Sequence, residues 1–226
     1  MEKYLECTNL FDYETESVTA KAKALTAGLE TAKDKAIAIF NFSKDEIRYN
    51  PHGITDVINS SRASAVLERG NGFCIQKAIL LAALARAAGI PARVGFADIQ
   101  NHQMSGEFAA MMNGSTLIPY HGYSELHIDG KWLIATPAFD LRMCEENGFN
   151  TASFDGENDA KFPQYSKDGR VHIEYIRVHG PHEDYQVERV LEVMDGFMDG
   201  LNRELGVVMS DMVKKFEQAL GLDDQP

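Results

Sequence analysis

The chain has 226 residues, 44% of them hydrophobic and 25% charged, and carries a formal net charge of −12. Such a length supports one sizeable core, the composition is that of a globular protein, and the acidic balance repels nucleic acid phosphate. No apolar run approaches the roughly 18 residues of a membrane span, so neither nucleic acid nor membrane is an expected partner.

In chain order, residues 1–14 read as extended, with Leu5, Leu10 and Phe11 as anchors. A helix is expected from Ser17 to Leu29 and another from Thr31 to Asp45, where Ala36, Ile37, Ile39, Phe40 and Phe42 give one apolar face. Ile47–Tyr49 leans towards strand, and 50–62, with Pro51, Gly53 and Asn59, reads as loop. A short helix over Ala63–Arg69 leads into the turn Gly70-Asn71-Gly72. From Cys74 to Ala88 the chain is apolar nearly all round, which predicts a buried helix stopped by Gly89 and Pro91. A strand follows over Ala92–Ile99, then a connection to Pro119 with a turn or two of helix near Phe108–Met112. Residues 120–128 and 131–136 predict a hairpin turned by Asp129-Gly130. Residues 145–170, rich in Asn, Asp, Gly and Ser, read as a long surface loop, and 171–178 as a strand. A helical stripe runs Val190, Met194, Phe197, Leu201, Leu205, Val208, Met212, Phe216, Leu220, and Gly196, Gly200 and Gly206 divide it into two helices. The expected architecture is one α+β domain over 1–226. N-terminal helices pack on an antiparallel sheet in a core of about residues 1–180. A helical appendage of about 185–222 forms part of the core or the seam of a homodimer.

Three cysteines, Cys7, Cys74 and Cys144, make no disulfide framework, and no CxxC pair or zinc-spaced histidine accompanies them. No metal or cofactor is expected. Met1-Glu2-Lys3-Tyr4 carries no leader pattern, so the cytoplasm is the expected compartment. Cys74 opens the buried helix directly after Gly70-Asn71-Gly72-Phe73. There the helix dipole favours thiolate, and free N–H groups of the first turn can hold an oxyanion. A cysteine simply packed beside an apolar helix fits the same pattern. Gly72 and Phe73 are candidate substrate-binding residues, since glycine permits close backbone approach.

Among seven histidines, His121 opens a strand on which His121, Tyr123, Glu125 and His127 share one face. A neutral imidazole near a thiol takes its proton and later returns it to a leaving amine. Tyr123 is thereby a third candidate substrate-binding residue. His127 lies too far along the strand to serve the same sulfur, and His102 is the reserve base. The group that orients the imidazole is expected where the return strand ends, at Thr136 to Asp140.

Gly72-Phe73-Cys74, then Ala87-Ala88-Gly89-Ile90-Pro91-Ala92-Arg93, then His121-Gly122-Tyr123-Ser124-Glu125, then Asp129-Gly130-Lys131-Trp132 together resemble the transglutaminase-like superfamily of microbial proteins. The resemblance spans roughly residues 1 to 140. It implies a papain-like core with a cysteine, histidine and aspartate triad, acting as protease, peptide amidase or acyl-transferring enzyme on a peptide or protein. By position, Cys74 resembles the nucleophile and His121 the base. The family's aspartate directly precedes the proline, where this chain has Thr136. Asp140, four residues on, is the preferred orienting group and Thr136 the alternative; a catalytically impaired binding module on the same fold is the rival reading.

Overall fold

The computed structural model describes residues 1–51, 56–104, 112, 114–202 and 209–221. It is an α+β fold, and local chemistry explains its elements. A 3-10 turn at Glu2–Leu5 replaces the expected extended start. Helices α1 (Glu16–Thr26) and α2 (Ala32–Asp45) follow. The Thr31 hydroxyl starts α2 by accepting the Asp34 amide at 3.0 Å, a hydroxyl N-cap. Strand β1 (Arg48–Tyr49) pairs in parallel with β2 (Asn71–Gly72). Between them lie α3 (Val57–Ser60) and α4 (Ala63–Arg69), so the expected loop 50–62 contains a helical turn, capped by the Asp56 carboxylate.

Helix α5 (Cys74–Ala87) is buried at every residue from Cys74 to Arg86. It packs against the sheet on one side and against α1, α2 and α4 on the other. Its apolar composition follows from that position, since each fully buried Leu or Ile contributes about 1.5–3 kcal/mol.

The main sheet is antiparallel, in the order β5 (Lys131–Ala135), β4 (Leu117–Ile128), β3 (Ala92–Asn101), β6 (Ile173–His182). His121 pairs with Ala97 and Gly122 with Phe96. Ser124 donates to Ala78 O at 2.8 Å, fixing β4 to α5. The β3–β4 register shifts between Ala97 and Ile99. There Tyr120 takes φ +51°, the left-handed region that costs a bulky residue, and its amide donates to Asp98 Oδ1 at 3.0 Å.

The 145–170 region is not the expected surface loop. Its start belongs to α6 (Leu141–Asn147), and Phe149, Ala152, Phe154, Ala160 and Phe162 are buried. Their irregular spacing gives no periodicity to read. Helices α7 (Asp184–Asn202) and α8 (Met209–Leu220) form the two-helix C-terminal segment. Phe216 is buried and stacks on Tyr120 at 4.4 Å, so this part of the stripe serves the core. The helical turn expected around Phe108 and the stripe positions Leu205 and Val208 lie outside the described residues. Among the described residues no helix is long and apolar enough to cross a membrane.

Candidate active site

Cys74 stands at the first position of α5, 8% exposed. The glycine of β4 lets the helix approach: a Cβ on Gly122 would lie 2.8 Å from Ile75 Cα, which no other residue tolerates. In consequence the Gly122 amide faces the Cys74 sulfur, alongside the amides of Ile75 and Cys74 itself. These donors favour thiolate, but burial outweighs them and pushes the thiol up to about 11.

The structure therefore brings Cys74 together with the His121–Gly122 peptide. His121 is 2% exposed, and burial pulls its imidazole down to about 3. Its ring packs on Phe162, centroids 4.9 Å apart, and Nε2 has no hydrogen-bond partner among the described residues. At rest both groups are neutral.

Among the described residues no hydrogen bond joins either expected orienting group to His121. Asp140 is buried but spends its carboxylate elsewhere: Oδ2 accepts the Tyr49 amide at 2.7 Å and Oδ1 the Met143 amide at 2.9 Å, capping α6. The buried Thr136 hydroxyl approaches the Tyr175 phenol without a well-aligned bond and does not reach His121 either. The chain past Pro137 thus places Asp140 as the N-cap of α6, with its second oxygen on the amide of Tyr49 in β1.

The candidate substrate-binding residues are interior. Tyr123 is 1% exposed, and its ring occupies the space over Gly95. Gly72 is packed on the buried Gln76, whose Oε1 accepts the Phe73 amide at 3.3 Å. Neither they nor Phe73 line a cavity described here. His102 pairs with Glu174 at 3.1 Å on the surface, and His127 packs edge-on against Trp132.

Several neighbours of the site escaped the sequence reading. Tyr49 is half-buried as a residue, and loss of hydration around its phenol, with a smaller contribution from a thiolate at nearby Cys74, holds its acidity well below that of an ordinary phenol. Phe139 stacks on Phe162 at 4.4 Å and meets Tyr49 edge-to-face at 5.1 Å. His172 is buried and stacked on Phe149 at 3.7 Å, and among the described residues neither ring nitrogen has a hydrogen-bond partner. The signal for Tyr49 was its place at the end of an extended segment before Pro51; nothing in the spacing of Phe139, Phe162 and His172 announces a shared cluster. Among the described residues no group of three or more His, Cys, Asp and Glu is placed to hold a metal ion.

Comparison with known proteins adds a family. Two solved structures are similar to this chain. One is an inferred cysteine protease from Cytophaga hutchinsonii, at 20% identity and TM-score 0.46, covering 59% of this chain and 40% of that one. The other is an inferred protease from Parabacteroides distasonis, at 16% identity and TM-score 0.40, covering 60% of this chain and 26% of that one. This chain thus spans less than half the length of either structure. No curated protein matches it. The model of the transglutaminase-like superfamily matches residues 19–137, from α1 through the hairpin to Pro137, and so takes in both Cys74 and His121. On that match, which covers more than half of the sequence, the chain belongs to the transglutaminase-like superfamily.

Proposed function

We propose that this protein is a cysteine-dependent amide hydrolase or acyl transferase acting on a peptide or protein. Cys74 attacks the carbonyl, forming a thioester as the amine leaves. His121 takes the thiol proton and delivers it to that amine. Water, the default acceptor, then attacks the thioester carbonyl as His121 takes its proton; the C–S bond breaks, the acid leaves and His121 returns the proton to the Cys74 sulfur. The observation that supports this reading is the set of backbone amides, from Gly122, Ile75 and Cys74, converging on the Cys74 sulfur, with His121 directly preceding Gly122 in the strand. Donors so placed stabilise thiolate in the attack and oxyanion in the intermediate. Because both groups rest neutral, proton transfer from sulfur to imidazole belongs to the attack step and does not precede it.

A second reading, a binding module that retains the fold without turnover, is favoured by one observation: among the described residues Nε2 of His121 has no hydrogen-bond partner. Alkylation of Cys74 by iodoacetamide, followed by mass spectrometry from pH 6 to 9, separates the two. A working pair alkylates at least about tenfold faster near pH 7.5 than the His121→Ala protein does, in line with the usual worth of a positioned base. Equal rates in the two proteins, both rising only as an ordinary buried thiol ionises, would leave the binding module standing.

A further inference from the structure

We propose that the cleft between β1 and α6 is the side-chain pocket of the Cys74 site, and that it takes an aromatic side chain on the acyl part of a peptide. This rests on Cys74 being the nucleophile. The cleft holds about 250 Å³. A cavity of about 150 Å³ lined by apolar groups accepts a benzene molecule, so a ring fits here with room for its methylene. Tyr49, Phe139, Phe149, Met104 and Met143 supply the apolar wall. The remaining polar lining consists of carboxamides, including Gln103 and Asn147. In a chain with 25% charged residues, none of the described residues that line the cleft is charged. A charged side chain entering it would lose its hydration with no counter-ion among the described lining residues.

Two walls connect the cleft to the chemistry. Tyr49 lies beside Cys74 and meets Phe139 edge-to-face at 5.1 Å. Phe139 stacks on Phe162, and Phe162 packs on His121 at 4.9 Å. A continuous row of rings therefore runs from the cleft to the imidazole. The rim suits a peptide backbone. The Asn147 amide nitrogen donates inward to Met143 O at 2.8 Å, and that of Gln103 donates to Ser166 Oγ at 2.7 Å. Among the described residues neither carbonyl oxygen is used, which leaves two acceptors for peptide N–H groups.

Saturation-transfer NMR on the full chain carrying Cys74→Ser reads the pocket without any chemistry. The probes are the N-acetyl amides of phenylalanine, aspartate and lysine. The phenylalanine probe should bind about tenfold or more tightly than either charged probe, the discrimination expected of an uncharged pocket. Met143→Glu should abolish the preference, and the exposed rim variant Asn147→Asp should reduce it in a protein whose core is untouched. Equal binding of the three probes, or a preference that survives both variants, overturns the pocket. Iodoacetamide labelling of the wild-type chain distinguishes the underlying reading. A reactive Cys74 with no probe preference sinks the pocket alone. An inert Cys74 with intact phenylalanine binding sinks the assignment of the cleft to an acyl site.

Discussion

One turn after Cys74, the same helix buries a charge. Lys77 is 0% exposed, and its ammonium donates to Lys44 O at 3.0 Å and Ala138 O at 2.9 Å, so it ties the end of α2 to the segment that carries Phe139. Burial pulls the group from 10.5 down to about 7, against the opposing pull of Asp140 and Asp45. The sign of the consequence follows from which state holds the proton. Below pH 7 both folded and unfolded chains are protonated, and the fold carries the full cost of the buried ion. Between about 7 and 10.5 the unfolded chain keeps a proton that the folded chain has released, so stability rises with pH. Cys74 and Cys144, pushed up from 9.0 to about 11, act in the opposite sense, weakly as pH nears 9 and fully between 9 and 11. Urea denaturation at pH 7.0, 7.8 and 8.6 should therefore show rising stability in the wild type and a flat profile in Lys77→Met. A slope unchanged by the substitution would mean that Lys77 keeps its proton through this range.

At the scale of the element, the first turn of α5 is fixed by Gln76, a buried amide that uses both ends. Its Oε1 accepts from the Phe73 amide and from Arg69 Nη2 at 3.2 Å, while Nε2 donates to Ser61 Oγ at 3.2 Å. Gln76→Leu keeps the volume but leaves those partners unmatched, and each orphan costs about 1–3 kcal/mol. We expect a loss of about 2–4 kcal/mol in urea denaturation. A loss under about 1 kcal/mol would show that water replaces the amide at no cost. The sequence announced α5 itself, because an unbroken apolar run between a glycine turn and Gly89-Ile90-Pro91 has few other solutions. It announced the hairpin through Asp129-Gly130, and the family resemblance through Cys74 and His121. It did not announce that Gln76 turns inward, since a lone glutamine on a helix has no periodicity to betray it. Asp140 was legible in a different sense: an aspartate before Leu141–Asn147 and a closing Gly148 is an N-cap signal, and the carboxylate fills that role. The aromatic cluster of Phe139, Phe149 and Phe162 was not legible, because loop residues meet through the tertiary path and not through a repeat.

For the molecule as a whole, closure depends on Arg86, at the far end of α5 from Cys74. Its guanidinium holds Asp184 bidentately, at 2.8 and 2.9 Å, and so anchors the first residue of α7. It also donates to Ala92 O at 3.0 Å at the start of β3 and to Glu6 O at 2.9 Å, and it lies over the Phe11 ring at 4.1 Å. One buried cation thus fastens the N-terminal segment, the central helix, the sheet and the C-terminal helices. Arg86→Met removes a fully buried cation from a partly exposed carboxylate, a change that costs at most about 3–5 kcal/mol. If the four segments form one cooperative unit, the loss is global. The single tryptophan, Trp132, reports from the opposite edge of the sheet, where Arg93 stacks on it at 3.9 Å. In Arg86→Met its fluorescence transition should move to lower denaturant together with the far-ultraviolet circular dichroism. A tryptophan transition that stays in place while the helical signal melts early would show that the C-terminal helices unfold by themselves and that Arg86 serves only their attachment.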